Sequence, residues 1–159
     1  MKAEDVQTSS QSTSEARDDS PDATAEQVGV TRTIVARGRV GWLAELLQER
    51  FGIQATADSR ERILAIATAD GKKVLPILED TRGRAFRKDE RLRGIDVELQ
   101  VREDDRHPML RVLRVFQVED GKRFELDYWC DVCAIVMYES GPCSCCQEAN
   151  RLRKRRVDE

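Results

Sequence analysis

The sequence predicts a mainly β protein with one or two short helices, followed by a small cysteine-rich unit. Three observations predict it. Ile95, Val97, Leu99 and Val101 alternate with Asp96, Glu98, Gln100 and Arg102, the period of two expected of a half-buried strand. Asp70-Gly71 separates two strand-like segments, the pattern of a tight hairpin. All five cysteines fall between positions 130 and 146, so they serve one place in the fold rather than a dispersed core.

The remaining elements follow from the same patterning. Residues 1–28 hold seven acidic and two basic side chains and almost no bulky apolar ones. Such a segment cannot repay its ordering entropy, so it is expected to be a disordered acidic tail. Thr31 to Val40 mixes β-branched residues with arginines and is expected to be the first strand. Trp42, Leu43, Leu46, Leu47 and Phe51 fall at helical spacing, and Gly52 stands where a helix commonly stops. Ile63–Thr68 and Lys73–Leu78 form the two arms of the hairpin, Pro76 placing the second arm at an edge or a bulge. Asp80–Arg93 reads as a loop with a short arginine-rich helix. Met109–Val118 is the fifth strand, with Arg111 and Arg114 directed outward. The exposed face of the strand at 95–101 is expected to be acidic.

Composition narrows the function classes. Hydrophobic residues make up 40% and charged residues 36% of the 159, which describes a globular chain with a heavily charged surface. No apolar run approaches the roughly 20 residues that cross a bilayer, and the N-terminus has no apolar signal-peptide core. The expected setting is therefore cytoplasmic, where thiols bind metals or do redox chemistry more often than they form structural disulfides.

The cysteines give the sharpest chemistry. Cys130 and Cys133, then Cys143 and Cys146, form two C-x2-C pairs separated by nine residues, with Cys145 inside the second pair. Two thiolates three apart on a tight turn can face one ion, and a second such turn completes a tetrahedron, the geometry zinc accepts. The expected ligands are Cys130, Cys133, Cys143 and Cys146. Regular spacing favours Cys146 over Cys145, which stands as the alternative. The expected metal is Zn2+, with iron second. A single C-x-x-C would equally suit a redox dithiol, so thiol redox or heavy-metal handling is the alternative function.

Two resemblances emerge from these residues. Five strands with a helical piece between the third and fourth, over residues 31–119, resemble the oligonucleotide/oligosaccharide-binding (OB) fold, a five-stranded barrel. Tyr128-Trp129-Cys130-Asp131-Val132-Cys133, followed by Gly141-Pro142-Cys143-Ser144-Cys145-Cys146, resembles rubredoxin-like zinc ribbons and short bacterial heavy-metal-binding modules. Ala134 and Gln147 stand where those modules often have glycine. The second resemblance implies bound zinc or iron. The expected organisation is an acidic tail (1–28), an OB-like barrel (29–119), a zinc ribbon (120–150), with Val132, Ile135, Val136 and Met137 as its packing residues, and a basic tail (151–159).

A closed four-thiolate site leaves no position for substrate, so the expected role is structural and the chain a non-enzymatic binding module. The only histidine, His107, precedes Pro108 in an expected turn without a nucleophile nearby in the sequence. Nucleic acid and protein are both expected partners. Arg82, Arg84, Arg87, Lys88, Arg91 and Arg93, then Arg151, Arg153, Lys154, Arg155 and Arg156, favour the former, whereas a scarcity of strand aromatics beyond Phe116 weighs against base stacking. No membrane and no small-molecule substrate are indicated.

Overall fold

A computed structural model describes residues 29–157. The expected acidic tail lies outside the described residues. Eight strands and two short α-helices follow one another: β1 (Thr31–Trp42), α1 (Leu43–Phe51), β2 (Leu64–Thr68), β3 (Val74–Pro76), α2 (Ala85–Lys88), β4 (Asp96–Asp104), β5 (His107–Glu119), β6 (Lys122–Cys130), β7 (Ile135–Met137) and β8 (Arg151–Val157). The chain is mainly β, and its sheet runs in the order β3-β2-β1-β4-β5-β6-β7, with β8 on β6.

Strand β1 is long enough to serve two neighbours. Residues 31–39 pair with β4, whereas only residues 38–42 pair with β2. The changeover falls at Gly38, where a side chain would collide with the carbonyl oxygen of Ala67 on β2. Glycine is needed there because two backbones approach closely. Val40, Ile66, Leu99, Val101 and Val112 fill the space inside the curled sheet, and Phe86 of α2 enters the same core fully buried. Helix α1 covers the other face of β2, where Leu46 meets Ala65 and Ala67. The helix stops at Gly52, whose φ of 68° turns the chain so that the Ile53 N–H reaches the Leu47 carbonyl at 3.3 Å.

An isolated parallel bridge between Ile77 and Leu110 brings the end of β3 beside the start of β5, with the Leu78 N–H on the Leu110 carbonyl at 2.9 Å. Apart from that bridge the ladder is open, so strand pairing establishes an antiparallel sheet and not the expected closed five-stranded barrel.

Three expectations are corrected. The basic terminus is a strand as far as Val157: β8 pairs with β6 from Arg123↔Val157 to Trp129↔Arg151, held by cross-strand ion pairs that hydrophobic periodicity does not register. The expected acidic outer face of β4 is not open at Glu98, which is 4% exposed because Arg37 (2.7 Å) and Arg123 (2.8 Å) close over its carboxylate. Val132, expected to pack, is 70% exposed at the tip of a turn.

Candidate metal centre

The first cysteine pair sits on the turn that joins β6 to β7. Cys130 ends β6 opposite Ile135, and the Ala134 N–H bonds back to the Cys130 carbonyl at 2.9 Å. That closure forces Ala134 to a φ of 54°, a left-handed conformation that costs an L residue about 1–2 kcal/mol. In return the Cys133 N–H points at the Cys130 sulfur, 3.4 Å away.

The second pair repeats this construction on a loop. The Gln147 N–H bonds to the Cys143 carbonyl at 3.0 Å, Gln147 has a φ of 65°, and the Cys145 N–H points at the Cys143 sulfur at 3.4 Å. Ala134 and Gln147 therefore take up the conformation glycine would adopt with less strain. The loop is tied at its base by Asn150, whose Oδ1 accepts from the Gly141 N–H (3.1 Å) while its Nδ2 donates to the Glu139 carbonyl (2.9 Å). Nothing in the sequence pattern singles out Asn150 for this role.

The two turns face each other. The sulfur atoms of Cys130, Cys133, Cys143 and Cys146 all lie within 4.8 Å of one another, the Cys130–Cys146 separation being 3.5 Å. A tetrahedron with metal–sulfur arms of about 2.3 Å has edges of about 3.8 Å, so the cluster has the dimensions of a four-thiolate cage. Cys130 and Cys143 are fully buried, Cys133 and Cys146 half-buried. Cys145 is exposed and stands outside the group of four mutually close sulfurs. The residues expected as ligands are thus brought together, and the cluster can hold one metal ion.

The thiols differ in acidity. The backbone N–H groups of Cys146 and Cys145 stabilise the Cys143 thiolate and bring its pKa down to about 7. Cys133 moves the other way, its thiol held protonated by hydrogen bonding to Cys146 and Cys145 and by desolvation. Cys130 is raised as well: the Cys133 N–H opposes the shift, but burial and the neighbouring Cys146 and Cys143 outweigh it. Four thiolates this close repel one another, and a dication removes that repulsion.

The centre is anchored to the rest of the fold through the segment around α2. Tyr128, two residues before Cys130, is 2% exposed in the main core, and its hydroxyl donates to Asp89 at 2.8 Å. Asp89 also accepts from Arg91 at 2.7 Å, and that guanidinium, followed by the Tyr128 hydroxyl, holds its pKa below the usual carboxylate range. Glu139 accepts from Arg84 at 2.6 Å and from Lys88 at 3.0 Å. Arg82 lies over the Tyr138 ring, 3.5 Å from its centroid.

Of the two expected basic clusters, most members are already partnered. Arg87 is clamped by Glu79, Arg151 by Asp131, Arg153 and Arg155 by Asp127, and Lys154 by Glu119. Phe116 is buried, with Arg114 and Arg123 over its ring, and presents no face for a base. His107 is exposed at the start of β5, opposite Asp104. No helix among the described residues is long and apolar enough to cross a membrane. No protein-family model, curated protein or solved structure matches the chain.

Proposed function

We propose that Cys130, Cys133, Cys143 and Cys146 bind one zinc ion, with iron the next best fit, in a closed site that holds the C-terminal unit in shape. The observation that carries this reading is the repeated turn: two C-x2-C segments with the same backbone closure aim four sulfurs at one point. Such a site contributes folding energy, because the unfolded chain presents no preformed cage. We read β6, β7 and β8 around it as a zinc ribbon, and β1 to β5 as an OB-like barrel, a reading supported by the Ile77–Leu110 bridge between β3 and β5.

The chain is then a non-enzymatic binding module, and its partner is a protein rather than a nucleic acid. What supports this choice is the pairing of most members of the basic clusters with carboxylates of the same chain, which leaves fewer free cations for a phosphate backbone.

Elemental analysis of protein purified without added metal tests the metal reading. About one zinc or iron per chain, lost in Cys130→Ser and Cys143→Ser and retained in Cys145→Ser, is the expected result. Absence of metal, together with reversible oxidation of Cys130 and Cys146, would replace it by thiol redox chemistry.

A further inference from the structure

The free edges of the sheet are not alike. Strands β3 and β7 are three residues each, and β3 carries Pro76, which cannot donate to a ladder. Strand β8 presents five basic residues among its seven. Short length, proline and charge are the usual means by which an edge is kept from pairing with another chain. The first half of β1 is longer, has no proline, and carries no charge at Thr31, Thr33 or Val35; the first charge on that face is Arg37, already paired with Glu98. Among the described residues its only partner strand over Thr31–Arg37 is β4, because pairing with β2 starts at Gly38.

Backbone direction along this half can be read from its ends. The Val30 carbonyl bonds to Asp105 at the end of β4, whereas the Arg37 carbonyl bonds to Ala69 on the β2 side. Successive residues in a strand alternate in direction, so Thr31, Thr33 and Val35 turn their N–H and C=O groups to the open edge. Their side chains are all exposed, Val35 at 54%. A groove of about 570 Å3, lined by Ile34, Val35, Lys73, Leu75 and Glu103 among others, runs alongside.

We propose that this edge pairs with the same edge of a second copy of the chain, giving a two-fold dimer centred on Thr33 with the two β1 strands antiparallel. Self-complementarity argues for a second copy. With Thr33 on the axis, Thr33 meets Thr33 and Thr31 meets Val35, all uncharged, and all but Val35 able to share hydroxyl hydrogen bonds. The pairs on the opposite face of the strand set the exposed Arg32 against Ile34, so no like charges stand directly opposite. Cross-strand pairs of this kind stabilise an antiparallel ladder, and like charges in the same positions destabilise it. Two-fold symmetry makes one surface its own partner. The basic β8 edge, paired with itself, would instead bring arginines together.

Sedimentation equilibrium of the full, metal-loaded chain over a range of concentrations tests the dimer. Wild type is expected to dimerise. Thr33→Lys, which brings two ammonium groups together on the axis, is expected to weaken association by roughly tenfold, and Thr33→Glu to do the same. An equimolar mixture of the two variants is expected to recover association as a heterodimer. Val35→Pro removes a donor that faces only the open edge and is expected to weaken the dimer while circular dichroism and metal content stay unchanged. A wild type that is monomeric throughout would overturn the proposal, as would a dimer indifferent to Thr33→Lys or a charge-swapped mixture that fails to associate. A monomer with a slowly exchanging Val35 amide would assign the edge to another strand, and would overturn it equally.

Discussion

The hydroxyl of Tyr128 donates to the carboxylate of Asp89 at 2.8 Å, within the core. This bond joins β6, two residues before the first cysteine of the metal centre, to the segment that follows α2. Strand β6 itself changes partners along its length: residues 122–125 pair with β5, and residues 128–130 pair with β7. Tyr128 in the core and Cys130 in the cysteine cluster are thus two residues apart on one strand.

Replacing Tyr128 by Phe removes the donor and leaves the buried Asp89 with Arg91 alone. The expected loss is about 1–2 kcal/mol of unfolding free energy, read from urea denaturation of the metal-loaded protein. Asp89→Asn should cost a similar amount, and the double variant less than the sum, because both changes break the same bond.

Ala134 and Gln147 should both tolerate glycine with a gain. Each holds a positive φ to close its turn, and glycine relieves about 1 kcal/mol of that strain, net of its greater freedom in the unfolded chain. Ala134→Gly and Gln147→Gly are expected to raise thermal stability and slow metal release to a chelator. A β-branched residue, as in Ala134→Val, is expected to accelerate release.

Acidity at Cys143 is expected to add a change of slope near pH 7 to the pH dependence of metal binding. With a pKa of about 7, Cys143 in the metal-free chain is mostly thiolate at pH 8 and mostly thiol at pH 6. In the proposed site the metal takes all four cysteines as thiolates, so binding at the lower pH is expected to displace about one further proton. Affinity falls as pH falls. Since the pKa is depressed relative to an ordinary thiol, the stabilisation it gives the metal-free fold is present above the unfolded thiol's pKa and is lost as pH drops through about 7. Calorimetry in buffers of different ionisation enthalpy measures the proton count directly.

Retention on single-stranded DNA should be weak. With Arg87, Arg151, Arg153 and Arg155 held by Glu79, Asp131 and Asp127, little counterion release is left to drive binding. Binding is expected to vanish at about 0.15 M salt. Affinity that survives such salt, with a steep dependence on its concentration, would make nucleic acid the partner.

Much of this architecture was legible in the residues, for physical reasons. The strand at 96–104 announces itself by alternation, the β2–β3 hairpin by Asp70-Gly71, and the cysteine cluster by spacing, because each signal is local. Strand β8 was not legible: Arg-Leu-Arg-Lys-Arg-Arg-Val has no apolar alternation, and its partners Glu125, Asp127 and Asp131 lie 20 or more residues earlier. Glu98 looked solvent-facing by its place in the alternation, and only the fold brings Arg37 and Arg123 over it. At the cysteine cluster the four thiols that the structure brings together could be read directly, but not the strain at Ala134 and Gln147, since neither residue type advertises a positive φ. The roles of Asn150 and of the Tyr128–Asp89 bond depend on contacts between distant segments, which spacing does not encode.

X-ray absorption at the metal edge of the purified protein reads the ligand shell itself. Four sulfur atoms at about 2.3 Å, unchanged in Cys145→Ser, are the expected result. A shell containing nitrogen or oxygen, or fewer than four sulfurs, would contradict a closed site built from Cys130, Cys133, Cys143 and Cys146.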